Sequence, residues 1–343
     1  MAAGNGSTIN GAFTNAAGAS LFVTGDLALT QSFSNDGSIT VGSGGLDFNV
    51  PAPGDLTVPQ SLTNNGSILL VNGDITVPGG TLTNAPGGTF ALGGGPTDDG
   101  SGDRTVHAAL NNQGTLNALD SAELTGGLAN SGTLNIQSGD VSVSPAGAAA
   151  QGPTVSNTGA VTVSNFGALT VTGGDFATSG TVGLVGFGGV VVAGNYTQTA
   201  GSTQLNNGLL TAGLVDLEGG TLAGTGVINA SVLNNAELDV GQPGAPGTLT
   251  VVGDYTQTSA GALGIEIGGP NAGTDFDQLN VTGQATLDGT LTVRLINGFV
   301  PNSGDSFTIM TFGSGTGTFA TLNGDGPAFT PSFDPGDVTL VAN

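Results

Sequence analysis

One short phrase recurs so regularly along this chain that it dictates what the chain can fold into. An apolar residue is followed, with one residue between, by Asn, then by Gly two positions later, then by alternating apolar residues. The phrase reads FSNDGSITV from Phe33, LTNNGSILLV from Leu62, LNNQGTLNAL from Leu110, LANSGTLNI from Leu128 and VSNTGAVTV from Val155. Looser copies start at Phe13, Leu82, Phe176, Tyr196, Leu214, Val232 and Tyr255. Successive starts lie about twenty residues apart, with insertions of about eight in places. A fixed period of this length marks a structural unit that stacks on its neighbours and grows in one dimension.

Two positions after each start sits a short polar side chain. In order these are Asn15, Asn35, Asn64, Asn84, Asn112, Asn130, Asn157, Thr178, Gln198, Asp216, Asn234 and Gln257. Stacked coils bring equivalent positions one strand spacing apart, where carboxamides can hydrogen-bond along a ladder. Asn and the Gly after it also suit the left-handed backbone of a tight corner, which is expected at these positions. The alternative, in which Asn-x-Gly marks hairpin turns, does not require a fixed repeat length.

Between these positions, apolar residues alternate with polar ones. Ile68, Leu70, Ile75 and Val77 form one set, Leu134, Ile136, Val141 and Val143 a second, and Val161, Val163, Leu169 and Val171 a third. Period-two alternation places such sets on one face of short strands, and no segment carries a useful helical period. The expected fold is all-β: a right-handed parallel β-solenoid (β-helix) of about twelve coils over residues 1–254. At about 4.8 Å per coil this predicts a rod of roughly 55–60 Å.

Composition narrows the function. The chain carries 25 acidic residues against two basic ones, Arg104 and Arg294, for a net charge of −23, and it has no Lys. Binding to nucleic acid or to anionic headgroups needs cationic side chains in number, so neither partner is expected. Its 37% hydrophobic content argues against a disordered acidic tail despite 64 Gly. No run approaches the roughly 18 apolar residues of a membrane span, so no membrane insertion is expected. The start, MAAGNGSTINGAF, lacks the basic and apolar regions of a signal peptide. Absence of Cys fits a bacterial protein exported without disulfides.

From Tyr255 onward the pattern changes to longer strands with Pro-containing turns, which reads as a separate strand-rich domain over 255–343, a hairpin or sandwich-like cap. This stretch carries Tyr255-Thr-Gln, DFDQLNVTG from Asp275, LDGTLTV from Leu287, LINGF from Leu295, GDSFTIMT from Gly304 and GTF from Gly317. Over residues 255 to about 322 it resembles the C-terminal part of autotransporter-type bacterial surface proteins. The resemblance implies an exported β-helical passenger, outside the cell or on the bacterial surface, whose terminal segment helps fold or cap the solenoid. No translocating barrel follows within the 343 residues, which fits a cleaved passenger or a relative that never had a barrel.

One constellation offers reactive groups: Asp98, Asp99, Asp103, Arg104 and His107 in TDDGSGDRTVH. Pectin-degrading solenoids mount clustered Asp with His and a basic residue, so a polysaccharide-cleaving enzyme is one alternative. Carboxylates within a single Gly-rich loop are not held at the separation hydrolysis needs, and no enzyme activity is expected. No cofactor is expected either; Ca²⁺ is the one candidate ion, with Asp98, Asp99, Asp103, Asp275 and Asp277 as candidate ligands, although neither segment matches an EF-hand loop. The Asn-x-Ser/Thr triplets at Asn65 and Asn195 coincide with turn chemistry.

A solenoid leaves backbone edges at both ends, and such edges invite strand addition. The expectation is a head-to-tail homopolymer in which the C-terminal hairpins of one copy dock on the first coil of the next. The last strand, Asp337, Val338, Thr339, Leu340 and Val341, is the candidate for donation. The alternative is a monomeric adhesin-like passenger that binds a surface glycan or host ligand through an exposed lateral patch, and the low aromatic content, 5%, offers no such patch clearly.

Overall fold

The computed structural model describes residues 2–3, 6–42, 54–94, 104–145, 152–324 and 329–343. Among them there is no helix, and each of the two compact units, Met1–Phe176 and Ala177–Asn343, is a β-solenoid. The expected boundary at 254/255 falls inside the second unit.

In the first unit three parallel ladders run side by side. One joins Ser20–Val23 to Ser38–Val41, Ser67–Leu70, Thr89–Leu92, Thr115–Ala118, Thr133–Ile136 and Ala160–Ser164 in turn. The next stacks Leu27–Leu29, Leu56–Thr57, Ile75, Val106, Ala122–Leu124, Asp140–Val143 and Ala168–Val171. The last aligns the repeat starts themselves, Phe13, Phe33, Leu62, Leu82, Leu110, Leu128 and Val155.

Burial alternates along almost every strand, so Ile68, Leu70, Leu134, Ile136, Val161 and Val163 point inward while Thr and Ser neighbours meet water. Each fully buried Leu, Ile or Val contributes about 1.5–3 kcal/mol. Because the side-chain period is two, any one-residue slip would expose the whole apolar set, which fixes the register.

The second unit has parallel stacking of the same kind within itself. Tyr196, Val215, Val232, Tyr255 and Ala285 stack in order. The repeat start expected at Leu214 is therefore Val215, and Asp216 lies opposite Thr197 on the outer face while Leu217 takes the interior position. Parallel pairing runs on past Tyr255 to Gly324. Among the described strands the last ones run the other way: Asp337–Ala342 lies antiparallel to Ser306–Gly317 on one side and to Phe329–Asp334 on the other.

Candidate functional site

The interior polar positions of the first unit form one directed chain of hydrogen bonds. Asn15 Nδ2 donates to Asn35 Oδ1 at 2.8 Å, Asn35 to Asn64 at 2.7 Å, and Asn64 to Asn84 at 2.7 Å. Asn84 donates to Asn112 at 2.8 Å, Asn112 to Asn130 at 2.7 Å, and Asn130 to Asn157 at 2.8 Å. Each Nδ2 also donates to a backbone carbonyl of the following coil, from Asn15 to Ser38 O at 2.9 Å through Asn130 to Ala160 O at 3.0 Å. Both amide hydrogens are thus satisfied in a buried slot, where an unmade bond costs about 1–3 kcal/mol. Aligned amide dipoles polarise one another, so the bonds reinforce along the row.

The role expected of the following Gly is different. Neither these Asn residues nor Gly37, Gly66, Gly114, Gly132 and Gly159 have positive φ. A Cβ on Gly66 would lie 2.1 Å from Gly37 O, and one on Gly132 would lie 2.1 Å from Gly114 O. Glycine is required because successive coils approach here within the space a side chain would fill, and that contact lets the amides meet.

The directed row has an acceptor end. Among the described residues, Asn15 Oδ1 receives no donor, and Phe13–Asn15 pairs only with Phe33–Asn35. The Phe13 ring stacks on Phe33 at 5.2 Å, and Asn15 beside it is buried. At the opposite end of the sequence, the expected donor strand containing Asp337, Val338, Thr339, Leu340 and Val341 is held between two partners. Its donation would break both pairings; among the described residues the outer strand of that sheet is Phe329–Asp334.

In the second unit the polar positions are joined through tyrosines. Asn234 Nδ2 donates to the Tyr255 hydroxyl at 3.0 Å, which donates to Gln257 Oε1 at 2.8 Å. Asn234 therefore reaches the next polar position through a phenol and not through a direct amide bond. The Tyr196 hydroxyl meets Thr203 Oγ1, which donates to Gln198 Oε1 at 2.6 Å. Burial pushes both phenols well above the ordinary tyrosine range. The repeated Tyr-Thr-Gln triplets at Tyr196 and Tyr255 are the sequence signal for this device.

The acidic and histidine constellation is not assembled as a site. Asp98, Asp99 and Asp103 lie outside the described residues. Arg104 and His107 sit on one strand with opposite facing: Arg104 is buried and 3.7 Å from Asp120, whereas His107 is outside, 3.4 Å from Asp74. Asp275 accepts from Asn271 N and closes its own turn. Asp277 points inward, fully buried, and accepts Gly247 N at 2.8 Å and Glu266 N at 2.7 Å. Among the described residues no three acidic or histidine side chains converge as a metal site.

Arg294 spans two coils to meet Asp239 at 3.2 Å and Glu237 at 3.4 Å. Gly264 on the coil between makes this possible, since a Cβ there would fall 1.6 Å from Asp239 Oδ1. The cluster borders a cleft of about 100 Å³ that also touches Gln204, Gly241 and Glu266. Lost solvation pushes the Asp277 carboxyl up to about 7, opposed by its two backbone donors and reinforced by neighbouring Glu266 and Asp239. No protein-family model matches the chain, and no curated protein matches it.

Proposed function

We propose that this chain is a structural subunit outside a bacterial cell, assembling head-to-tail into a surface or matrix filament, and that its role is mechanical and not catalytic. The finer architecture belongs to this reading: a right-handed solenoid of about twelve coils closed by a C-terminal hairpin cap. The extracellular setting rests on the likeness of residues 255 to about 322 to autotransporter-type proteins. One observation carries the assembly: the directed amide row begins, at the first described coil, on an acceptor beside a strand edge. A second copy that adds strands there would supply both backbone pairing and an amide donor, and such a heterologous contact does not close on itself. The outer strand Phe329–Asp334, not Asp337–Ala342, is the better placed donor.

Electron microscopy of the purified protein tests this. The wild type should form filaments under native ionic conditions, and Asn15→Lys, which puts a charge at the acceptor end, should disperse them. Dispersed wild-type monomers, or filaments indifferent to Asn15→Lys, would contradict the proposal.

A further inference from the structure

Three outward side chains of the first unit stand in line as a carboxylate, an imidazole and a hydroxyl. Asp74 Oδ2 lies 3.4 Å from His107 Nε2, and His107 Nδ1 lies 3.1 Å from Thr125 Oγ1. Strand register sets this order: Thr76 pairs with His107 and Val106 with Leu124, which brings Asp74, His107 and Thr125 together on the outer face of successive coils. Asp74 is itself held, its N–H donating to Asp55 Oδ1 at 2.9 Å. A carboxylate at Nε2 favours the tautomer with hydrogen on that nitrogen, which leaves Nδ1 to accept from the Thr125 hydroxyl. The other contact of that hydroxyl, to Val106 O, is longer at 3.5 Å. His107 thus finds its partners across coils and not among its neighbours in sequence.

A base oriented on a hydroxyl is the arrangement that makes a weak nucleophile reactive toward an activated carbonyl. Two features beside it complete the geometry. Among the described residues, Gly126 N, one position after the hydroxyl, donates no hydrogen bond. The N–H that follows a nucleophile is one from which hydrolytic folds bind the developing oxyanion. The turn that carries it is tightly packed, since a Cβ on Gly126 would fall 2.1 Å from Ala108 C. Gly126 also borders an open groove of about 430 Å³ that runs past Ala109, Leu110, Leu128 and Pro153, which leaves room for a substrate next to the turn.

We propose that Thr125 is an acyl-acceptor hydroxyl, with His107 as its base and Asp74 positioning the imidazole, and that it takes an acyl group from an activated ester or thioester. Thr125 Oγ1 adds to the carbonyl carbon while its proton passes to His107 Nδ1. The adduct then expels the alcohol or thiol, which leaves with that proton, and the acyl group stays on Thr125 as an ester. The step consumes the hydroxyl, so it attaches a structural subunit covalently and involves no turnover. Filament formation does not enter this inference, and either can fail alone.

The test incubates the full chain with p-nitrophenyl acetate and reads nitrophenolate release together with peptide mass spectrometry. The chain has no Lys, so acylation of amines is confined to its N terminus. An acetyl group should appear on Thr125 and not on Thr76 or Thr105 of the same face. Thr125→Val and His107→Gln should each lower that labelling about tenfold or more, and Asp74→Asn should slow it by a smaller factor. Thr125→Ser, which keeps the hydroxyl, should retain it, and this separates lost chemistry from lost folding. No label on Thr125, label spread over the exposed hydroxyls, labelling indifferent to His107→Gln, or nitrophenolate release unchanged in Thr125→Val would overturn the proposal.

Discussion

In the first unit the interior slot of successive coils holds Asn from Asn15 to Asn157, whereas in the second it passes through Gln198, Leu217, Asn234 and Gln257. The Asn row satisfies itself: from Asn35 to Asn130 each amide is both donor to the next coil and acceptor from the last. In the second unit an apolar residue interrupts the row, and each polar group finds a local partner, the Tyr255 hydroxyl for Asn234 and Thr203 for Gln198. A homogeneous row makes neighbouring coils depend on one another. A mixed row confines each substitution to its own pair of coils.

The sharpest break of this comparison is Asn84→Leu. It strands the Asn112 Oδ1 acceptor, removes the Asn64 acceptor, and withdraws a donor from the Thr115 carbonyl. A loss of about 4 kcal/mol in the first unit is expected in urea unfolding. Asn112→Leu added to it should cost less than the sum of the two singles, since the bond between them is already gone. Strict additivity would show that the amides act separately.

The second unit should instead carry a pH dependence centred on Asp277. Its folded value, about 7, lies above the ordinary 3.8. A carboxyl raised in this way contributes stability that is complete below about pH 3.8 and is lost as pH rises through about 7. Between about pH 5 and pH 8 the wild type should lose roughly 2–3 kcal/mol more than Asp277→Asn, whose side chain does not titrate. Equal slopes in urea titrations at the two pH values would show that Asp277 ionises normally.

Tyr255→Phe comes next in size. It deletes the hydroxyl between Asn234 and Gln257 and leaves a buried donor and acceptor facing one another across a gap. About 2 kcal/mol should be lost, without the non-additivity expected of the Asn row.

The stacking period and the Asn positions were legible because an Asn that must meet its own copy cannot drift in phase. Where the slot is apolar the phase blurs: LVDL admits Leu214 with Asp216 or Val215 with Leu217, and only stacking against Tyr196 decides for the second. Proximity in sequence likewise misleads, because Arg104 and His107 are three positions apart and face opposite ways. The Arg294 cluster was hidden for the converse reason. Its partners Glu237 and Asp239 lie 57 and 55 residues away, joined by a Gly264 whose meaning is spatial. Phe166 and Phe187 read as ordinary apolar residues until their φ values place them on the outside.

The most direct test of the amide row is hydrogen exchange of individual Asn side-chain carboxamides by NMR. Those of Asn35, Asn64, Asn84, Asn112 and Asn130 should exchange together and as slowly as the most protected backbone of the first unit, while the carboxamide of exposed Asn206 exchanges freely. Rapid or mutually independent exchange at those five positions would mean that no self-satisfying row holds the coils in register.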